Sequence, residues 1–425
     1  EICACLVGSE MCIRDSGKGY WEVNLKALEA GGSYQLQIIG KENQISIKDI
    51  LIGDVWLCSG QSNMQWVVNN VTNAEVEKKN ANYPQIRTLN IPRRMELSPK
   101  DTISATWLVC SPETVGRFSG VAYFFAKKVY EETNVPIGII NSSWGGTIVE
   151  TWTSLEAANT LPQKRLDRYN KNEKLFPPTE YLTRKNKEAK RNDYPSLVYN
   201  AMIHPLLSFS IKGVLWYQGE NNVGSAEPYT DWLTCMIGDW RNRWNSELPF
   251  YIIQLPNFDS INKKPLWAEM RDAQSKVLAV PGTHLIVTSD LGDPNDLHPR
   301  NKQRVGIRAA LQALHYEYGY SDIVSESPMF ERMEINGDKV IITFKNTGSG
   351  LEIRSRYGCL QGFAIAGEDK KFHWALGELK DNRIVIWNPK VPTPVAVRYN
   401  WENNPDGNLY NKDGLPACLF RTDNW

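Results

Sequence analysis

The pattern of apolar and polar positions first separates a short alternating region near the N-terminus. From Gly19 to Trp56, apolar and polar residues alternate, and glycine-containing turns interrupt the alternation. A period of two is typical of antiparallel strands with one buried face. About three such strands cannot form a stable domain alone, because their apolar face needs a partner. The sequence therefore predicts that 17–50 is the remnant of a truncated N-terminal β-domain, or that it packs on another part of the chain.

A different pattern occupies 51–320, where short apolar runs alternate with stretches of helical periodicity. The apolar runs are DVWLC, PIGIINSSW, KGVLWYQGE, PFYIIQLP and HLIVTSD, and helical stripes run through GVAYFFAKKVYEETN, YTDWLTCMIGDWRNRW, LWAEMRDAQSKVLAV and PRNKQRVGIRAALQAL. Strands that are apolar on both faces and alternate with helices indicate a parallel sheet covered on both sides. We therefore predict a three-layer α/β/α domain over 51–320.

The remaining regions are a β-rich C-terminus, a charged insert and an unusual N-terminus. Strand-like runs separated by turn signals predict a β-rich domain over 321–425. The charged, proline-punctuated insert Thr160–Pro195 indicates a surface excursion or a partly ordered lid. The first sixteen residues lack the basic-then-apolar order of a signal peptide and resemble translated adapter sequence. We expect 1–16 to be an artefactual or unstructured tail, so that any native signal peptide is not visible.

Charge and cysteine content narrow the classes of partner and cofactor. The chain has 48 Lys and Arg against 48 Asp and Glu, so it has no net attraction for nucleic acid. No apolar run approaches the roughly 18 residues of a membrane span. The eight cysteines are scattered, without a C-x-x-C pair, which argues against a zinc ribbon or a dense disulfide framework. We expect no nucleic-acid partner, no membrane span and no metal or other cofactor, and the oligomeric state stays open.

Distinctive polar clusters follow four of the apolar runs. Ser62 follows DVWLC, Gly145 and Gly146 follow IGIIN, Glu220 follows GVLWYQ, and His298 follows HLIVTSD. In a parallel sheet, functional sites lie at the carboxyl ends of the strands. Ser62 and His298, far apart in the chain, would therefore be neighbours at one edge of the sheet.

These clusters resemble the motifs of a known family. GQSNMQW, NSSWGGTIVETW, WYQGENN and DLHPRNKQRVG resemble, in this order, the blocks of SGNH-type hydrolases, above all the sialate O-acetylesterase-like carbohydrate acetylesterases. The runs GFAIAGEDKKFHWA and NLYNKDGLPACLFRTD resemble that family's terminal β-domain. The resemblance implies an SGNH-hydrolase fold and a metal-free serine esterase in the periplasm or outside the cell. Its substrate would be an acetylated carbohydrate, either sialic acid or a plant polysaccharide such as xylan.

The catalytic candidates follow from the chemistry of acyl transfer, which needs a nucleophile and a base. Ser62 stands where a strand ends and the chain turns, which suits a nucleophile, although a lone serine there is more often a helix N-cap. His298 precedes Pro299, and proline is favoured in the first turn of a helix. Because a helix N-terminus disfavours a cation, His298 would stay neutral and able to accept a proton. An acetyl-serine intermediate would form on Ser62.

The triad acid is not given by the motif. SGNH hydrolases carry D-x-x-H, and the acid position is occupied here by Asn295. An amide orients a ring but does not compensate the imidazolium charge. Asp296 is our candidate, since residues two apart in an extended segment point the same way. Asp293 is the alternative if the segment turns, and a Ser–His dyad that relies on a backbone carbonyl is a third possibility.

Oxyanion donors and sugar-binding residues complete the expected site. The expected oxyanion donors are the backbone N–H groups of Ser62 and of Gly145 or Gly146, with the side chain of Asn221, or alternatively Gln218. The expected substrate-binding residues are Trp66, Trp144, Glu220 and Arg300. Trp152, Trp216 and Tyr217 also flank the motifs, where core packing is at least as good an interpretation.

Two competing functions stay open at this point. Glu220 would suit a glycosidase acid, but a partner carboxylate is not evident. Asn222, which departs from the family's G-x-N-D pattern, and Asn295 are compatible with a carbohydrate-binding protein on a catalytically dead scaffold. The intact pair of Ser62 and His298 argues for the esterase.

Overall fold

The computed structural model describes most of the chain. The described residues are 3–6, 12–15 and 21–24, for which only the backbone is described, and 28–40, 42–167, 194–259 and 264–425. The segment 168–193, which is most of the charged insert Thr160–Pro195, lies outside them.

The N-terminal region forms small antiparallel sheets. Its strands are β1 (Cys3–Leu6), β2 (Cys12–Asp15), β3 (Trp21–Asn24), β4 (Gly31–Ile39) and β5 (Gln44–Ile52). β4 pairs with β5 on one side and with β1 on the other, and β2 pairs with β3. The strands β1 and β2 thus lie within 1–16, for which an artefactual or unstructured tail was expected. The backbone of β1 satisfies an edge of β4 that would otherwise be left unpaired.

A seven-stranded mixed sheet forms the centre of the molecule. Its strands are β6 (Asp54–Gly60), β7 (Tyr83–Asn90), β8 (Trp107–Cys110), β9 (Ile137–Ser143), β10 (Gly213–Tyr217), β11 (Phe250–Ile253) and β12 (Thr283–Ile286). The spatial order is β12-β11-β10-β6-β9-β7-β8. All neighbours are parallel except β7 and β8. The predicted parallel sheet is confirmed with its five predicted strands, and the structure adds the parallel strand β7 and the antiparallel edge strand β8.

Helices cover both faces of this sheet. They are α1 (Ser62–Gln65), α2 (Ala74–Asn80), α3 (Gly120–Thr133), α4 (Leu155–Ala158), α5 (Ala226–Trp244), α6 (Leu266–Lys276) and α7 (Lys302–Glu317). Alternate residues of β6 face opposite cores. Trp56 and Cys58 pack with α3 and α7, whereas Leu57 packs with α5 and α6. The domain therefore has the predicted α/β/α layers.

The helix pair α3 and α7 lies close together under the site. Ser119 caps α3 by accepting a hydrogen bond from the N–H of Ala122 at 3.3 Å. In α7, a Cβ on Gly306 would lie 2.6 Å from the carbonyl oxygen of Val121, so only glycine allows this approach. The contact fixes α7 against α3, and with it the position of Lys302, the first residue of α7.

The C-terminal region is β-rich, as predicted. Its strands are β13 (Met329–Asn336), β14 (Lys339–Lys345), β15 (Leu351–Ile353), β16 (Phe363–Ala366), β17 (Phe372–Trp374), β18 (Leu376–Lys380), β19 (Arg383–Trp387), β20 (Ala396–Tyr399), β21 (Leu409–Asn411) and β22 (Phe420–Arg421). Two four-stranded sheets enclose a separate apolar core that includes Ile342, Ile365 and Tyr399. In the central domain, Arg308 forms a bidentate ion pair with Asp290. The hydroxyl of Tyr410, in β21, donates to Oδ2 of Asp290 at 3.3 Å and so links the C-terminal region to the central domain.

Candidate active site

Three of the four motif-bearing loops follow strands whose last residues are in register with one another. Gly60, at the end of β6, is in register with Tyr217 of β10 and with Ser143 of β9. The loops that carry Ser62, Gly145 and Glu220 therefore leave the sheet side by side, as the sequence predicts for the carboxyl edge of a parallel sheet.

The turn that presents Ser62 depends on a glycine. Gly60 has φ +131°, and a Cβ there would lie 2.1 Å from the carbonyl oxygen of Tyr217. The N–H of Gln61 then donates to that same carbonyl at 2.9 Å. Gln61 is the N-cap of the short helix α1, and the half-buried Ser62 is its first residue. Ser62 is thus not the capping residue, and its hydroxyl has no hydrogen-bond partner among the described residues.

The side chain of Gln61 joins the first motif to the third. Its Oε1 accepts hydrogen bonds from the N–H of Gly219 at 3.2 Å and from Nε2 of Gln218 at 3.1 Å. Gln61 is buried, so these bonds form in a low-dielectric region where they hold the two loops firmly. The Ser62 turn is therefore fixed to the loop that follows β10.

The loop that carries His298 follows the edge strand β12 and contacts the Ser62 turn. Nδ2 of Asn63 donates to the carbonyl of Leu297 at 3.1 Å, which joins the residue after Ser62 to the residue before His298. The ring of Trp66 stacks on the ring of His298, with centroids 4.8 Å apart and planes 10° apart. These contacts bring Ser62 and His298 into one site, although 235 residues separate them in the chain.

His298 has the properties of a neutral base. Its Nε2 is buried and has no hydrogen-bond partner within the part of the chain that the structure describes. Burial lowers the pKa of His298, the charge of Lys302 lowers it further, and Asp296 opposes both effects. The imidazole is therefore uncharged near neutral pH, with an unpaired nitrogen lone pair or N–H inside the site.

The acid candidates differ in position. Asp296 is half-buried, and its Oδ1 accepts the backbone N–H of His298 at 2.8 Å. Asp293 and Asn295 are exposed, and Oδ1 of Asp293 accepts the N–H of Asn295 at 2.8 Å in a local turn. Among these three side chains, only Asp296 both accepts a hydrogen bond from the backbone of His298 and raises the pKa of the His298 imidazole.

Several expected oxyanion donors are already engaged within the protein. The N–H of Gly145 donates to Oε1 of Gln65 at 2.8 Å, and Nδ2 of Asn221 donates to the carbonyl of Gly146 at 2.7 Å. Nε2 of Gln218 faces three acceptors, which are Oε1 of Gln61, the carbonyl of Thr147 and Oδ1 of Asn222. In contrast, the backbone N–H groups of Ser62 and Gly146 have no partner among the residues described.

The departure from the family pattern at Asn222 has a structural reason. Oδ1 of Asn222 accepts the N–H of Val149 at 3.1 Å, and its Nδ2 donates to Oε2 of Glu150 at 2.9 Å. An aspartate would lack the N–H that Glu150 requires, and it would place two carboxylates together. Asn222 is buried and connects the loops after β9 and β10.

The predicted substrate-binding residues fall into two groups. Trp66, Trp144 and Arg300 are half-buried or exposed, whereas both Glu220 oxygens point inward: Oε1 accepts from Asn63 and Oε2 is buried. This position favours support of the Ser62 turn over contact with a sugar. The other flanking aromatics are fully buried in the core, as the packing interpretation predicts: Trp152, Trp216 and Tyr217.

The sequence reasoning missed four residues of the site. Gln61, Asn63 and Gln65 lie inside GQSNMQW, and Lys302 lies inside DLHPRNKQRVG, so the motifs contained them without revealing their contacts. A lysine in a charged stretch usually indicates an exposed position. Lys302 is instead completely buried.

Comparison with known proteins gives the family. A family model described as carbohydrate esterase, sialic acid-specific acetylesterase, matches residues 52–315. The chain belongs to this family of carbohydrate esterases. The matched region contains all four motifs and the whole central sheet.

Individual relatives agree with this family. Mouse sialate O-acetylesterase is 29% identical over 438 residues, which cover 91% of this chain and 80% of the mouse protein. Human sialate O-acetylesterase is 31% identical over 360 residues, 76% of this chain and 65% of the human protein. A carbohydrate acetylesterase from Xanthomonas citri is similar in structure, with TM-score 0.89 and 36% identity, over 100% of this chain and 93% of that one. The protein is therefore an esterase with the fold of the carbohydrate acetylesterases.

Proposed function

We propose that the protein is a serine acetylesterase that removes O-acetyl groups from sialic acid, with Ser62 as nucleophile and His298 as base. The observation that carries this proposal is the buried, unpartnered Nε2 of His298, in a loop that Asn63 and Trp66 hold against the Ser62 turn. The family match and the relatives named for sialate O-acetyl hydrolysis support the choice of substrate.

The reaction would proceed in two steps. Oγ of Ser62 attacks the acetyl carbonyl while His298 accepts the hydroxyl proton, and that proton then goes to the departing sugar oxygen. In the second step His298 takes a proton from water, and the water oxygen attacks the carbonyl carbon of the acetyl-serine. The bond to Oγ of Ser62 then breaks, acetate leaves, and His298 gives the proton to Oγ. Asp296 is the group we assign to orient His298 and to stabilise its charged form.

For the oxyanion we favour the backbone N–H groups of Ser62 and Gly146. Both backbone N–H groups lack a partner among the described residues, whereas the backbone N–H of Gly145 and the side-chain Nε2 of Gln218 donate within the loops. The amide of Asn221 has a second hydrogen in addition to the one it gives to Gly146, which keeps it a candidate donor. Removal of one such donor typically costs about 100- to 1,000-fold in kcat.

The substrate and the nucleophile are tested together by acetate release. Wild type, Ser62→Ala and Ser59→Ala would be compared on O-acetylated sialic acid and on acetylated xylan. Ser59 is the matched control, since its buried hydroxyl has no partner among the described residues and it precedes Ser62 by three positions. We expect release from the sialic acid ester by wild type and Ser59→Ala, and background release by Ser62→Ala.

Other results would change the proposal. Preferred release from xylan would keep the serine mechanism and replace the substrate. A folded wild-type chain that binds the sugar without releasing acetate would support the carbohydrate-binding alternative, and cleavage of a glycosidic bond would support a role for Glu220 in a glycosidase.

The cellular location is a separate proposal. No helix among the described residues is long and apolar enough to cross a membrane. We infer a periplasmic or secreted enzyme from the family resemblance, and fractionation of cells that express the gene in its native context tests this.

A further inference from the structure

A buried lysine is bonded to the residue that follows the candidate nucleophile. Lys302 is the first residue of α7 and has no exposed surface. Both its burial and its place at a helix N-terminus disfavour a positive charge. A cation in this position therefore requires specific partners, and their identity indicates what it does.

The partner of Lys302 is the residue that follows Ser62. Nζ of Lys302 donates to Oδ1 of Asn63, and Nδ2 of Asn63 donates both to Oε1 of Glu220 and to the carbonyl of Leu297. The ammonium also lies 5.6 Å from the centroid of the Tyr217 ring. The amide orientation of Asn63 is thereby set, because its oxygen faces an ammonium and its nitrogen faces a carboxylate and a carbonyl.

This arrangement joins four elements at one amide. α1 provides Asn63, the loop after β10 provides Glu220, the loop that carries His298 (the base loop) provides Leu297, and α7 provides Lys302. The nucleophile turn and the base loop thus share a single buried network. Buried hydrogen-bond networks restrict the side chains that they join. In this network Oε2 of Glu220 has no hydrogen-bond partner among the described residues, and the hydrogen bonds are centred on Asn63.

The charges in this network also act on the base. Among the described residues, the charged groups that act on the pKa of His298 are Asp296 from its own loop and Lys302 from α7, and Glu220 from the loop after β10 acts on Lys302. Lys302 lowers the pKa of His298, and Asp296 raises it. Burial lowers the pKa of Lys302 and raises that of Glu220, and each of these two charges opposes the shift of the other.

We propose that Lys302 is a positioning residue of the esterase reaction, whose ammonium, bound through Asn63 to Glu220, holds the Ser62 turn against the His298 loop. This inference rests on the proposed roles of Ser62 and His298. It adds a requirement that the nucleophile and base alone do not: a buried positive charge at position 302.

The proposal is tested with variants that remove this charge in different ways. Lys302→Met removes the cation alone and leaves the Glu220 carboxylate buried without it. The double variant Glu220→Gln with Lys302→Met removes both charges, and replacing a buried pair in this way is often tolerated. Arg304→Met is the matched control, since Arg304 is exposed in the same first turn of α7. Folding is checked by circular dichroism, and kinetics use an uncharged acetyl ester.

The expected result is a change in both kcat and the pH profile. For Lys302→Met and for the double variant, kcat falls by about tenfold or more while KM changes little. The acid midpoint of kcat/KM moves to higher pH by about half a unit or more, because the cation that lowers the pKa of His298 is gone. Arg304→Met keeps the wild-type kcat and midpoint.

Two results would overturn the proposal, and they are distinguishable. A folded double variant with wild-type kcat and wild-type acid midpoint would show that Lys302 has only a structural role, while the esterase function stands. Hydrolysis that survives Ser62→Ala would refute the function on which the inference rests, and the inference with it.

Discussion

The indole of Trp66 lies parallel to the imidazole of His298, with ring centroids 4.8 Å apart. Trp66 follows Ser62 by about one helical turn, and its N–H to Ser62 carbonyl bond closes that turn at 2.9 Å. Nε1 of Trp66 donates to the carbonyl of Asn70 at 3.1 Å, which holds the indole in place. The position of His298, the proposed base, is therefore set from the helix that carries Ser62.

This stack predicts a defect in kcat for Trp66→Ala. A ring pair of this kind contributes about 0.5–1.5 kcal/mol beyond its buried area. If that contribution orients His298, kcat falls by up to about tenfold and KM changes little. Trp66→Phe keeps a flat ring and should retain most of the activity. Steady-state kinetics of both variants on one acetyl ester check this.

The same kinetics separate two roles of Trp66. An increase in KM at unchanged kcat in the Trp66→Ala variant, measured on an acetylated sugar, would show a sugar platform in place of a support for His298.

The pH dependence follows from the surroundings of His298. Burial and the Lys302 charge lower the pKa of His298 below its ordinary value of 6.5. Because only neutral His298 accepts a proton, kcat/KM falls as the pH drops through this lowered pKa. We expect the acid midpoint of kcat/KM to lie below pH 6.5 for an uncharged ester. A midpoint clearly above 6.5 would mean that another group is the base or that the charged form is favoured.

Gly60 is expected to tolerate no side chain. Gly60→Ala combines a positive φ with a Cβ 2.1 Å from a backbone oxygen, so we expect a loss of at least about 3 kcal/mol in unfolding free energy. Gly238→Ala, in the middle of α5 with open space around its Cβ, should instead gain about 0.5–1 kcal/mol. Denaturant unfolding of both variants measures the difference. Equal stability of the two would refute the role assigned to Gly60.

Restoring the family's aspartate at position 222 should destabilise this protein. Asn222→Asp removes the N–H that Glu150 accepts and adds a like charge beside it, a change that costs about 1–3 kcal/mol. Glu150→Gln supplies the missing N–H, so the double variant should recover part of the loss. Thermal unfolding of the two single variants and the double variant gives the coupling. Simple additivity of the two changes would contradict the contact.

The central fold was predictable because its signals are local. The apolar runs that became β6, β9 and β10 and the stripes that became α3 and α7 need no knowledge of the rest of the chain. β7 and β8 were not predicted. β7 contains a proline and alternates weakly, and β8 has four residues at the sheet edge, where pairing with β7 decides its conformation.

The network around Lys302 was not predictable, because it depends on contacts between distant parts of the chain. Asn63 and Lys302 are 239 residues apart, and nothing local marks either as buried and paired. Likewise, Trp216 is buried and Arg300 is exposed because of how distant parts of the chain pack around each of them. The motifs indicated the candidate site, whereas the contacts and burial of the residues within it required the structure.

The most direct test of the central claim is to trap the covalent intermediate. Wild type and Ser62→Ala would be mixed with an activated acetyl ester, quenched in acid during turnover and analysed by peptide mass spectrometry. We predict the mass of one acetyl group on the wild-type peptide that contains Ser62, and none on the corresponding peptide of the variant. Rapid ester hydrolysis by wild type with no acetylated Ser62, or with acetyl on another residue, would contradict the account.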